Sequence, residues 1–220
     1  MDEKINVETL ATDEEIQQID LNDLVGAMVS NVKEDIKTFD DLINLDFSFS
    51  REIPIGEIED GLGDSVDAYI RFWNKQDEGI PVGERKPIKL LINSPGGYLT
   101  DAFTIIDAIK MSKTPVIGVC TGTAYSGGFF ILVCCDKRVA YPHASFLFHE
   151  GATSNGGTSS QFQNFAAFYK KQLDQLKDVV INNTKITEEE YKEIKKDDIW
   201  YDVNDALEKG IIDEVLEEFV

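Results

Sequence analysis

Residues 88–135, IKLLINSPGGYLTDAFTIIDAIKMSKTPVIGVCTGTAYSGGFFILVCC, carry the pattern that decides the fold. Ile88 to Ile92 form a short apolar run, typical of a buried strand. Asn93-Ser94-Pro95-Gly96-Gly97 breaks the run, because proline and glycine favour a turn. Residues 101–111 return apolar side chains at helical period. Residues 115–120 read as a second buried strand, and residues 126–135, which hold no charge, suit a helix packed on all sides. Strand and helix alternating in this way imply βαβ units with parallel strands, hence an α/β domain.

Working outward, residues 52–58 read as a short strand with a turn glycine. Residues 64–75 read as a helix with Val66, Tyr69, Ile70 and Trp73 on one face. Gly79, Pro81, Gly83 and Pro87 mark residues 77–87 as a loop. Downstream, two short strands are predicted at 137–141 and 145–149, around Pro142, followed by a glycine-containing loop at 151–158. A long helix over about 159–182 places Phe162, Phe165, Phe168, Leu173, Leu176 and Val180 in one stripe. Thr187 and Glu190 have capping-box spacing and open another short helix. Residues 203–209 are helical and stop at Gly210, and Ile211 and Ile212 predict a final short strand.

The 220 residues are 42% hydrophobic and 28% charged, which suits one α/β domain of moderate size with a sizeable core. Acidic residues outnumber basic ones 41 to 21, and the net charge is −20. Nucleic acid and anionic membrane surfaces would repel such a chain, so neither is expected as the main partner. Residues 1–50 hold 13 Asp or Glu against 3 Lys, about half of that charge. Residues 1–45 are therefore set apart as an acidic N-terminal extension, and residues 46–220 as the folded domain. Thr12 and Glu15 have the spacing of a capping box, with Ile16, Ile19 and Leu21 behind it. A helical extension, a partner-binding segment and a partly ordered tail all remain open for this region. No apolar run approaches the roughly 20 residues of a membrane span. The acidic start has no secretory pattern, so a cytoplasmic location is expected. Cys120, Cys134 and Cys135 show no CxxC or Cys/His ligand spacing, and read as buried reduced thiols.

Histidine chemistry has only His143 and His149 to draw on. His143 follows Pro142 and suits a turn or surface role. His149 ends the run Phe146-Leu147-Phe148, at a strand terminus where α/β folds place working groups. Ser126, between the strand ending at Cys120 and the apolar helix, is the candidate partner. A serine on a strand-to-helix turn exposes its hydroxyl near the N–H groups of the helix start. The same residue fits a plain helix cap equally well, and local sequence leaves both readings open. The turn at Ser94-Pro95-Gly96-Gly97 can present N–H donors to an oxygen that becomes negative in acyl transfer. It matches neither a Walker loop nor G-x-G-x-x-G.

Four segments, LLINSPGG (90–97), GTAYSGG (122–128), FLFHEG (146–151) and DIWYDVNDALEKGIID (198–213), resemble the Clp protease proteolytic subunit family of serine peptidases, in the family's order. The resemblance covers about Arg51 to Val215. It implies the ClpP/crotonase-like spiral of ββα units with a protruding helical handle, here residues 159–182. It implies Ser126 as nucleophile, His149 as general base and Asp198 as third triad member, with Asp197 the alternative if the register slips by one. The N–H groups of Gly97 and Gly127 match the family's oxyanion hole. Gly127 stands where the family usually has methionine, and the loop around 77–86 is longer than usual. The implied activity is endopeptidase cleavage of unfolded or extended polypeptide inside a ring-shaped homo-oligomer, usually two stacked rings. An ATP-dependent unfoldase is the implied partner, and no metal or organic cofactor is implied. Divergent members also occur in bacteriophages as head-maturation peptidases. A crotonase-like acyl-CoA enzyme and an inactive scaffold homologue are the alternatives.

Overall fold

Why strands form at residues 88–94 and 116–125 is visible in how they bury. The computed structural model describes residues 47, 49–154 and 156–219. Within it, Ser50–Val220 forms one compact unit. The acidic extension, its boundary near residue 45 and the capping box at Thr12 lie outside the described residues. In β2 (Ile88–Ser94), Ile88, Leu90 and Ile92 are fully buried while Lys89 and Leu91 are only partly so. One face of the sheet thus meets the main core, with Ile105 and Phe129 from the helices in the same cluster. The other face carries a smaller cluster of Val119, Val139 and Leu216, with Leu91 and Ile117 packed on it.

The strands are β1 (Glu52–Ile55), β2, β3 (Val116–Tyr125), β4 (Lys137–Ala140), β5 (Ser145–Phe148), β6 (Ile199–Tyr201) and β7 (Glu214–Val215). Their order is β1-β2-β3-β4-β7, all parallel, while β5 pairs β3 in parallel and β6 runs antiparallel to β5. From β1 onward the α-helices among the described residues are α1 (Leu62–Gln76), α2 (Leu99–Met111), α3 (Gly127–Cys134), α4 (Ser159–Asn183), α5 (Glu188–Ile194) and α6 (Val203–Glu208). This is a mixed α/β fold built on a mostly parallel sheet, as the sequence predicts.

β3 runs five residues further than its apolar stretch implies. Ile117–Cys120 pair with β4, and Thr123–Tyr125 then pair with β5. Between them the β2 register shifts, and the Asn93 side chain accepts from Thr123 N and Oγ1, each at 3.1 Å. The strand therefore delivers Ser126 directly to the start of α3. Every residue of α3 is buried, as its lack of charge predicts.

The expected strand at Ile211 and Ile212 is a correction. Both residues are buried, but their N–H groups donate to Ala206 O, at 2.8 and 3.3 Å, in the C-terminal cap of α6. Their donors being taken, the ladder with β4 starts at Glu214. The aromatic stripe on α4 also divides. Leu176 and Val180 are buried, whereas Phe162 and Phe168 are more than half exposed, so the N-terminal half of the helix protrudes. The three cysteines are free and buried, and burial pushes the Cys120 thiol up to about 12 and Cys134 to about 11.

One tether holds the helical layer. The N-terminus of α1 begins at Gly61, which has no side chain to cap it. Asp101 of α2 supplies the acceptor: its Oδ1 takes the N–H groups of Gly61 at 2.9 Å and Gly63 at 3.0 Å. Asp101→Ala leaves both donors unmet and is expected to cost about 1–3 kcal/mol. Urea unfolding should show a lower midpoint with an unchanged slope, and Asp101→Asn should recover part of the loss.

Candidate active site

β3 and α3 place Ser126 in a conformation few non-glycine residues adopt, φ 52° and ψ −119°. Such backbone costs about 1–3 kcal/mol and persists only where the surroundings over-determine it. Here the Ser126 N–H donates to Leu147 O at 3.0 Å, while its carbonyl accepts from Phe129 and Phe130 at the start of α3. The side chain makes no capping bond to α3. The helix-cap reading of Ser126 is thereby removed, and among the described residues its hydroxyl makes no hydrogen bond.

The turn after β2 closes against this serine. Gly96 has φ 99°, and a Cβ there would come within 2.6 Å of Ser126 Cβ. Gly97 has φ 149°, and a Cβ there would fall 2.2 Å from the Ile58 carbonyl oxygen. Both positions require glycine for close approach. The Gly97 nitrogen lies 3.8 Å from where a Cβ on Gly127 would stand. Ile58 bonds to Gly96 O and Tyr98 N on either side of Gly97, and leaves the Gly97 N–H free among the described residues. The Gly127 N–H, in the first turn of α3, is likewise unused there.

His149 and Asp198 meet through strand register. β5 ends at Phe148, β6 begins at Ile199, and these two are directly opposed in the antiparallel pair. The next residues out, His149 and Asp198, are therefore opposite each other. His149 Nδ1 lies 3.6 Å from Asp198 Oδ1. Asp197 is one step outside this register, with its N–H on Ile194 O. The Asp198 side chain is 63% exposed and that of His149 29%. His143 is exposed between β4 and β5.

Ser126, Gly97, Gly127 and His149 line one cavity of about 450 Å³. Leu99, Phe130 and Leu176 give it an apolar floor, and Tyr98, Tyr169 and residues 150–154 form its walls. The sequence reading did not single out Tyr98 or Tyr169 as cavity residues. Tyr98 follows the glycine turn and was within reach of that motif. Tyr169 reaches the site only through the packing of α4, which no local pattern reports.

A hydroxyl, an imidazole and two free peptide N–H groups around one cavity suit acyl transfer with a serine nucleophile. A parallel α/β scaffold holding those parts has the form of a serine hydrolase. The Clp protease family model matches residues 55–219. The chain is 32% identical over 166 residues to the ATP-dependent Clp protease proteolytic subunit 2 of Prochlorococcus marinus (strain MIT 9312), covering 73% of this chain and 77% of that relative. It is 31% identical over 166 residues to the ATP-dependent Clp protease proteolytic subunit 3 of Synechococcus sp. (strain CC9902), covering 73% and 78%. The chain belongs to the Clp protease family, as a divergent member. No helix among the described residues is long and apolar enough to cross a membrane.

Proposed function

We propose that this chain is a serine endopeptidase acting on unfolded or extended polypeptide. The observation that carries the reading is Ser126, held at φ 52° at the end of β3 and sharing a cavity with His149. In this reading the Ser126 hydroxyl attacks a peptide carbonyl carbon. His149 takes the hydroxyl proton at Nε2, since Nδ1 is turned to Asp198, and returns it to the leaving amine. Asp198 holds the imidazole tautomer and balances the imidazolium charge. The N–H groups of Gly97 and Gly127 bind the oxygen that turns negative, each worth about 3 kcal/mol of transition-state stabilisation. Water then releases the acyl group by the same proton transfers in reverse order. The unmade Ser126–His149 bond fits a site that tightens when substrate or a neighbouring subunit arrives.

The protruding half of α4 supports a homo-oligomer. Phe162 and Phe168, 56% and 57% exposed, gain burial against a second copy of the chain. Stacked rings enclosing the sites, in the cytoplasm, and an ATP-dependent unfoldase that feeds them complete the proposal. A fluorophosphonate probe should label the full chain on Ser126, located by peptide mass mapping. Labelling should vanish in Ser126→Ala and fall strongly in His149→Ala. Full labelling in Ser126→Ala would overturn the assignment.

A further inference from the structure

His149 stands between two residues that one tyrosine holds. Tyr191 of α5, only 2% exposed, packs its ring on Phe148 with centroids 5.4 Å apart at 67°. Its hydroxyl donates to Glu150 Oε1 at 3.3 Å. Lys195 Nζ, from the C-terminal cap of α5, lies 3.9 Å from the same oxygen. From α4, the Tyr169 hydroxyl donates to the Glu150 carbonyl oxygen at 3.1 Å. Burial, and after it the Glu150 charge, pushes both phenols above their ordinary range, so both stay protonated donors at neutral pH.

The residues on either side of His149 are therefore held from two helices, Phe148 by ring packing and Glu150 by two contacts to its carboxylate and one to its carbonyl oxygen. A carboxylate is a stronger acceptor than a neutral oxygen, and a half-buried network of this kind rigidifies the backbone it touches. The same short helix that carries Tyr191 and Lys195 leads directly into Asp198. We infer that Glu150 is a positioning residue: through the contacts of its carboxylate with Tyr191 and Lys195 it sets where the His149 imidazole stands relative to Ser126. The inference rests on the peptidase reading above, in which His149 is the base.

The test uses the full chain and compares Glu150→Ala, Glu150→Gln and Tyr191→Phe, with Ser126→Ala as control. Peptide hydrolysis and fluorophosphonate labelling rates are measured alongside thermal unfolding of each variant. Glu150→Ala should lower kcat and the labelling rate by roughly 10- to 100-fold, the scale of an ångström-sized misplacement of a catalytic group. KM should change by much less than kcat: Glu150 lines the cavity, but its proposed role is exerted through His149. Glu150→Gln keeps an acceptor for Tyr191 but loses the charge facing Lys195, and should recover part of the rate. Tyr191→Phe keeps the ring packing on Phe148 but loses the hydroxyl, and should lower kcat by about tenfold. Unchanged kcat in Glu150→Ala overturns the inference. So does a raised KM at unchanged kcat, or a loss that glutamine does not even partly restore. If Glu150→Ala is unfolded at the assay temperature, wild-type kcat in Tyr191→Phe overturns it on its own. Hydrolysis that survives in Ser126→Ala sinks the peptidase reading instead, and is told apart by that control.

Discussion

Ser126→Ala, His149→Ala and the double variant should all lose peptide hydrolysis to nearly the same extent, about 10⁵- to 10⁶-fold in kcat. In the proposed mechanism serine and histidine act as a unit, so once one is gone the other has no proton or nucleophile to serve. The residual rate should remain well above that of water, because the Gly97 and Gly127 N–H groups and the apolar cavity floor are untouched. Asp198→Asn should cost less than either. Asp198 is 63% exposed and stands 3.6 Å from His149 Nδ1, so solvent screens its field and shares its orienting role. A loss of about 10²- to 10³-fold is expected there, below the roughly 10⁴-fold of a buried, tightly bonded triad carboxylate. Steady-state hydrolysis of a fluorogenic peptide reads all four variants. Additive losses in the double variant would mean that Ser126 and His149 serve separate steps.

How much of this was legible in the sequence differs element by element. The run from 88 to 135 was legible because its cues are local: apolar stretches broken by glycine and proline, and a chargeless helix. Ser126 was legible as a position but not as a role, because one residue type serves both a helix cap and a nucleophile. The backbone angle and the absent capping bond speak against the cap and support the proposed nucleophile. β6 was not read at all. Ile199-Trp200-Tyr201 is three residues long, and its existence depends on pairing with β5, more than fifty residues earlier. That pairing is also what chooses Asp198 over Asp197, so the resemblance supplied a residue whose geometric reason lay in an unseen strand. The α4 stripe was periodic along its whole length, yet periodicity does not say which half meets the body and which half protrudes.

The largest effect on stability is expected from Asp77, which does not line the cavity. Its side chain is 3% exposed and its carboxylate takes two bonds from Arg51, each 2.8 Å, and one from Thr114 Oγ1 at 2.7 Å. Arg51 in turn donates to Lys86 O at 2.9 Å, from a backbone at φ 62° just before β1. The network joins the start of β1, the end of α1, the 77–87 loop and the approach to β3. Asp77→Ala strands a mostly buried guanidinium and should cost about 3–5 kcal/mol. Replacing both partners, as in Arg51→Met with Asp77→Leu, should return much of that loss, because the cost lies in the unpaired charge. Acidity should act on the same pair. The Arg51 hydrogen bonds hold the Asp77 carboxyl below its ordinary 3.8, with burial opposing them and Thr114 assisting. A carboxyl whose folded pKa lies below its unfolded one stabilises fully above the unfolded value. That contribution fades as pH falls from there through the folded pKa. Between about pH 5 and pH 3, urea midpoints should therefore fall more steeply for the native chain than for the doubly apolar variant. Equal slopes would show that Asp77 does not carry this part of the acid sensitivity.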